Sequence, residues 1–230
     1  MGIFRKILNF SPFGILVYTR KFPSSEKKID YQERFLKFDI GKDEKVLDLG
    51  SGGEPFKYAT HLLDYFLGKT QHRYNELKTN GLPFVVGDIQ QLPYKDKTFD
   101  FVYSAHVIEH IDNPELACEE MMRVASRGYI EVPTRMSDIM FNFARMNHFH
   151  KWHISMAGNT LIFSEYNDWE RKDTGDVEFF KIAHSMLPNS LKKAYRKNKN
   201  LYTNMFLWKD HFNYFVFDKL GNLISSNYKK

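Results

Sequence analysis

The stretch Ser104-Ala-His-Val-Ile-Glu-His110 sets His106, Glu109 and His110 at i, i+3 and i+4, which puts them on one face if the segment turns helically. Three kinds of chemistry are open to such a set. Glu109 and His110 can brace the loop through hydrogen bonds. His106 can serve as general base toward a hydroxyl, because an imidazole titrates near working pH. Two imidazoles and a carboxylate are also a reasonable ligand set for a metal ion, and the run Asn147-His-Phe-His-Lys-Trp-His153 offers His148, His150 and His153 as further ligands. The catalytic candidates are therefore His106, Glu109 and His110. No metal is expected, and the alternative ligand set is His106, Glu109, His110 and His150.

A second stretch, "KVLDLGSGGEPF" over residues 45–56, is a short apolar run that breaks into glycines and meets a proline. A phosphate-gripping loop of the Walker type needs Gly-Lys-Ser/Thr at the helix start, and nothing here supplies it. A dinucleotide fold needs a third glycine for close helix packing and a helix N-terminus free to receive pyrophosphate. Glu54 occupies the third-glycine position and puts a carboxylate where phosphates would sit. The turn therefore suits a nucleoside ligand that lacks phosphates and carries positive charge.

The elements that must position these residues read as alternating strands and helices. Strand-like runs occur at 45–49, 61–66, 84–88, 99–104 and 128–133, and several are short and apolar without strict alternation, as strands covered on both faces should be. Between the last two, Asp112 or Asn113 can cap a helix, Pro114 suits its first turn, and "ELACEEMMRVA" continues it. This rhythm predicts an α/β fold with a doubly wound, mostly parallel sheet. Asp64 and Asp88 close the second and third runs, and strand-end acids in such a sheet face one crevice. Only 16 positions separate Asp48 from Asp64, where roughly 20 are usual for a nucleotide fold of this kind. The first crossover helix is therefore expected to shrink to about one turn near Pro55. After Pro133 the pattern changes to a hairpin around residues 157–159 and another turning near residues 209–211. Residues 170–200 between them are polar, basic and helical in character. They include Lys192, Lys193 and Arg196, either a solvated helix face or a contact for an anionic partner.

Composition bounds the function. The chain has 230 residues, with 43% hydrophobic and 16% aromatic content, which excludes a disordered chain and leaves room for one sizeable core. The net charge of +5 is modest because 28 acidic residues are interspersed. A single cysteine, Cys118, excludes a disulfide framework and points to a reducing compartment, so a cytoplasmic location is expected. The first 21 residues mix Arg5, Lys6, Arg20 and Lys21 with apolar residues but match neither a signal peptide nor a membrane span. They are expected to cap the domain or to rest on the inner face of a membrane.

At this point the sequence resembles the class I S-adenosylmethionine-dependent methyltransferases, over about residues 40 to 135. Asp48, Gly50 and Gly52 match the family's D-x-G-x-G, with Ser51 between the glycines. The resemblance implies that Gly50 and Gly52 let backbone approach the methionine portion, that Asp64 takes the ribose hydroxyls, and that Asp88 and Ile89 meet the adenine. Ser104 closes the fourth strand, and the residues just past it lie nearest the methyl in the family. The cofactor implied is S-adenosylmethionine.

"GSGGEPFKYATHLLD" and "HKWHIS" before a hairpin look like methyltransferases of surface-polysaccharide clusters. This implies an O-methyltransferase acting on a carbohydrate hydroxyl in a glycan, a lipid-linked sugar or a nucleotide sugar. His150 and Trp152 are then substrate contacts, with Trp152 stacking on a sugar face or lying in the core. Lys192, Lys193 and Arg196 then meet acidic groups of the acceptor. Small-RNA 2'-O-methyltransferases and some ubiquinone-pathway O-methyltransferases show a similar E-x-x-E-H stretch around magnesium. RNA methylation assisted by a metal is the alternative enzyme reading, although no recognisable RNA module is present. A non-catalytic cofactor-binding scaffold, docked to a glycosyltransferase or membrane through residues 1–21, is the alternative outside enzymes.

The expected organisation is a cap over 1–30, a Rossmann-like core over 31–145, an acceptor-binding insertion over 146–204, and a C-terminal antiparallel hairpin over 205–230 that completes a seven-stranded sheet.

Overall fold

A computed structural model describes residues 27–68, 70, 76–143, 146, 148–173 and 190–228. The expected contact segment 1–21 and most of the cap lie outside them. Five of the strands are those the apolar runs predicted: β1 (Val46–Leu49), β2 (His61–Asp64), β3 (Phe84–Val86), β4 (Phe101–Ala105) and β5 (Arg127–Pro133). They form a parallel sheet, and β8 (Thr203–Lys209) adds to it antiparallel to β5, giving the order β3-β2-β1-β4-β5-β8. All residues of β1 and β4 are buried, because both faces of the sheet are covered.

One face carries α1 (Lys28–Phe35) and an aromatic cluster of Phe38, Phe56, Phe101, Tyr103 and Tyr129. Phe56 stacks on Tyr103 with ring centroids 3.9 Å apart. The other face packs Leu47, Leu49, Val102 and Ile130 against Ala117, Cys118 and Met121 of α2 (Pro114–Val124). The predicted caps of α2 act differently from expectation. Asn113 makes no side-chain cap, and its amide and side chain both donate to Gln90 Oε1 at 2.9 and 3.1 Å.

A second sheet, in the order β10-β9-β7-β6, packs beside α2. The hairpin expected around Gly158 is present as β6 (Trp152–Met156) and β7 (Thr160–Glu165), with Ile154 opposite Phe163. The C-terminal hairpin needs correction. The chain does turn at Asp210, but β8 stays in the first sheet while β9 (Asn213–Phe217) pairs parallel with β7 and antiparallel with β10 (Leu223–Ser226). Among the described residues the first sheet therefore has six strands, not seven. Phe206 and Trp208 of β8 and Tyr214 and Val216 of β9 all point into the same core. Phe212, fully buried in the turn between the two strands, packs its ring against those of Phe206 and Trp208 at centroid distances of 5.4 and 5.3 Å.

The first crossover is reduced to about one turn after Pro55, as the short spacing required: Ala59 N donates to Phe56 O, and no helix longer than that forms between β1 and β2. The polar stretch after β7 contains α3 (Asp168–Asp173) and α4 (Ser190–Lys197). No helix among the described residues is long and apolar enough to cross a membrane.

Candidate active site

The carboxyl ends of β1, β2 and β4 open onto a cleft of about 740 Å³. One half is built on the glycine turn. Gly50 adopts φ 70°, and a Cβ there would lie 2.3 Å from Val107 Cγ2, so only glycine lets the turn pass this close to the loop after β4. Its amide donates to Leu63 O at 2.7 Å. Gly52, at φ 56°, donates to Asp64 Oδ2 at 3.0 Å, and Phe66 N donates to Asp64 Oδ1 at 3.0 Å. The two backbone bonds fix the orientation of the carboxylate. Asp88 is oriented in the same manner: Gln90 donates to it through its amide at 2.8 Å and through its side chain at 3.1 Å.

Gly50, Ser51, Gly52, Asp64, Asp88 and Ile89 all line this half, as expected. Asp48 and Ser104 do not. Ser104 is buried beneath the cleft. Asp48 accepts from Phe56 N at 2.7 Å and so braces the turn from below. Burial outweighs that bond and raises its pKa to about 6. The unfolded-state value is 3.8, so the folded chain holds this proton more tightly. The associated stability is present below pH 4 and lost as pH rises through 6. Asp48→Asn keeps the acceptor for Phe56 N and removes the buried charge. Denaturation should therefore find the variant more stable than the parent by roughly 3 kcal/mol at pH 8, with the gap closing near pH 4.

The turn end of the cleft carries the carboxylates of Glu54, Asp64 and Asp88 against the ammonium of Lys28. Ser51 Oγ, buried in the lining, has no hydrogen-bond partner among the described residues. These groups fit a nucleoside with hydroxyls and a positive charge. They oppose a diphosphate.

The second half of the cleft is lined by His110, Phe149, His150, Tyr195, Lys199 and Tyr202. Of the residues expected to touch substrate, His150 is here, and Trp152 and Arg196 are not. Trp152 is core: it is buried, and its Nε1 donates to Ile111 O at 2.8 Å, so it presents no face to a sugar. Lys192 and Lys193 lie on α4, where their side chains are outside the described residues, and Arg196 is not in the lining, which takes Tyr195 from that helix and Lys199 just beyond it. Lys199 Nζ donates to Tyr195 Oη at 3.1 Å and lies over the Tyr31 ring.

His106 sits where the two halves meet, in the left-handed region at φ 61°. Its amide donates to Glu131 O at 2.8 Å, its Nε2 lies 3.0 Å from Glu131 Oε1, and its Nδ1 lies 3.4 Å from Glu109 Oε1. Burial works against its charged form, but the two carboxylates prevail and raise its pKa to about 9. With a carboxylate at each nitrogen it has no lone pair to offer a hydroxyl, so this arrangement does not support the expected role as general base. It acts here as a fixed cation.

Glu131 was not found from sequence. It is fully buried and accepts from Tyr31 Oη and Tyr129 Oη at 2.5 Å each and from Gln32 Nε2 at 2.6 Å, in addition to facing His106. Burial alone would raise its pKa, but these partners hold it at about 2. The signal was present as a lone acid inside the apolar run "GYIEVP", where a buried carboxylate needs donors. Asp138 was missed as well. It accepts from His150 Nδ1 and Asn142 Nδ2 at 2.7 Å and from Tyr166 Oη at 2.9 Å.

A parallel sheet with a glycine turn after β1 and acids after β2 and β3 defines a Rossmann-like fold of the methyltransferase type, with its ligand site at the strand ends. Residues 47–130 match the family model described as a methyltransferase domain. The chain is similar to norajmaline N-methyltransferase of Rauvolfia serpentina, at 51% identity over 45 residues, 20% of this chain and 15% of that one. It is also similar to a demethylmenaquinone methyltransferase of Streptomyces griseus, at 33% identity over 97 residues, 39% of this chain and 41% of that one. The chain thus spans less than half the length of either relative. Among solved structures, a SAM-dependent methyltransferase of Thermotoga maritima aligns at 20% identity and TM-score 0.34, covering 40% of this chain and 46% of that one. A Pyrococcus horikoshii protein aligns at 22% identity and TM-score 0.38, covering 54% and 64%. The match to a methyltransferase domain thus spans β1 into β5, the part of the chain that builds the glycine turn and the strand-end acids, and S-adenosylmethionine is the cofactor to which this site is suited.

Proposed function

We propose that this chain transfers the methyl group of S-adenosylmethionine to a hydroxyl oxygen of a carbohydrate, in a glycan, a lipid-linked sugar or a nucleotide sugar. The observation that carries the reading is the continuity of the cleft. Its turn half suits the cofactor, and its other half offers the aromatic faces of Phe149, Tyr195 and Tyr202 beside the polar groups of His110, His150 and Lys199. Aromatic faces alternating with hydrogen-bonding groups suit a sugar, which presents an apolar ring face and a polar edge. The named relatives differ in what their names say they methylate, and the family match covers only the cofactor half. The acceptor assignment therefore rests on the second half of the cleft and on the likeness to polysaccharide enzymes.

In the step itself, the acceptor oxygen would form a bond to the methyl carbon while the C–S pair returns to sulfur, and the hydroxyl proton would pass to solvent water. Asp64, Asp88 and the glycine turn orient the cofactor, and the cluster around His110 and His150 faces the acceptor. The buried, single Cys118 fits a cytoplasmic enzyme.

Lys199 places a positive charge at the acceptor end, which suits a phosphate or uronate on the sugar. Lys199→Ala should raise KM for acidic acceptors about 10-fold to 100-fold, the worth of a charge-assisted hydrogen bond, with little change for neutral ones. The decisive experiment is turnover on a panel of neutral and acidic sugars and RNAs. Methylation of sugars supports the reading. Turnover on RNA alone, or on none of the panel with cofactor bound, overturns it.

A further inference from the structure

Glu109 is fully buried, yet neither of its carboxylate oxygens accepts a hydrogen bond among the described residues. Its nearest polar neighbours stand off: His106 Nδ1 at 3.4 Å on one side and His150 Nε2 at 3.9 Å on the other. His106 is shared with Glu131, so at 3.4 Å it offsets only part of the cost of a carboxylate withdrawn from water, and a second positive charge beside Glu109 would offset the rest.

The surroundings are arranged for a cation. His150 is buried, and Asp138 holds its Nδ1 at 2.7 Å while being held itself by Tyr166 and Asn142. A carboxylate at Nδ1 fixes the tautomer that carries its lone pair on Nε2, the nitrogen that points to Glu109. The His110 ring lies with its centroid 4.7 Å from that of His150. One ligand atom each from Glu109, His110 and His150 lie within 4.8 Å of one another. Two backbone bonds hold the contributing segments in place, with Lys151 N and Trp152 N both donating to Glu109 O at 2.9 and 3.2 Å.

We infer that Glu109, His110 and His150 bind a divalent transition-metal ion of the zinc type. Two imidazoles among three protein ligands favour such an ion over magnesium, which prefers oxygen. Ligand atoms around a tetrahedral ion stand roughly 3.4 Å apart at bond lengths of about 2.1 Å, so the side chains need to close by about an ångström. His106 is not part of the set, because Glu131 holds its Nε2.

Because His110 and His150 line the cleft, the ion's open position faces the acceptor. This role rests on the methyl-transfer reading. The ion draws the acceptor hydroxyl onto itself and lowers its pKa, and the proton passes to solvent water. The oxygen lone pair then forms the O–CH3 bond, and the C–S bond breaks to leave the neutral thioether.

The test is metal binding by the full chain, stripped with chelator and titrated with Zn2+ by calorimetry, with S-adenosylhomocysteine titrated in parallel. The expected result is one Zn2+ per chain, with affinity reduced about 100-fold or more in Glu109→Gln and about 10-fold to 100-fold in Asp138→Asn, and unchanged in His153→Gln. Co2+ in the unaltered chain should give the intense visible bands of a low-coordinate ion, a readout that does not depend on any variant folding. No saturable Zn2+ binding, no such bands, or equal affinity in a folded Glu109→Gln overturns the inference. Metal binding without nucleoside binding would leave the ion site standing and remove the methyl-transfer reading. Nucleoside binding without metal would do the reverse.

Discussion

Gly50→Ala is expected to weaken binding of S-adenosylhomocysteine about 100-fold and to destabilise the chain by roughly 2–5 kcal/mol. The stability loss has two sources of similar size. A residue with a Cβ at φ 70° pays about 1–2 kcal/mol for the left-handed conformation. The new methyl would also start 2.3 Å from Val107 Cγ2, and relieving such overpacking costs typically 1–3 kcal/mol. Relief requires the turn and the loop after β4 to separate. That loop carries His106 to His110, so the shift moves both halves of the cleft at once. Chemical denaturation and calorimetric titration check the two parts. Native stability with native affinity would mean that the close approach at Gly50 has no bearing on the site.

Glu131→Ala has an effect of the same order by a different route. Removing this carboxylate strips the acceptor from Tyr31, Tyr129 and Gln32 and leaves His106 with one counter-charge in place of two. Breaking a buried charge pair by deleting one partner costs about 3–5 kcal/mol, and the orphaned phenols add to it. Glu131→Gln retains an acceptor but presents an amide donor to groups that are themselves donors, so it should fall between the parent and the alanine variant. NMR titration gives a second readout: the His106 pKa, about 9 in the parent, should fall in Glu131→Gln because a raising carboxylate has been neutralised. An unchanged pKa would show that Glu131 does not set the charge of His106.

The parallel core was readable because its strands are covered on both faces. "VLDL" and "FVYSA" are therefore nearly unbroken apolar runs, and a ligand turn in such a sheet falls after the first of them. Asp64 and Asp88 were readable for the same reason, as acids standing where those runs end. The parts that escaped depend on contacts between distant segments. Glu131 meets Tyr31 across 100 positions, and local pattern carries no information about that pairing. The Asp138–His150 pair depends on a π-helical turn at Asp138–Asn142. Trp152 and the split between β8 and β9 turned on which side of a strand faces which sheet, and both alternatives have the same hydrophobic alternation. His106 lines the cleft, but its charge state is set by the two buried carboxylates that flank it, which local sequence does not reveal.

The most direct test of the central claim, that the cleft is built for adenosine joined to a sulfonium, is a crystal structure of the chain grown with S-adenosylhomocysteine. The account predicts ribose hydroxyls on Asp64, adenine beside Asp88 and Ile89, and the sulfur directed toward the His110 and His150 end. A cleft that stays vacant at Gly50 under saturating nucleoside, or that takes up NADH in preference, would contradict it.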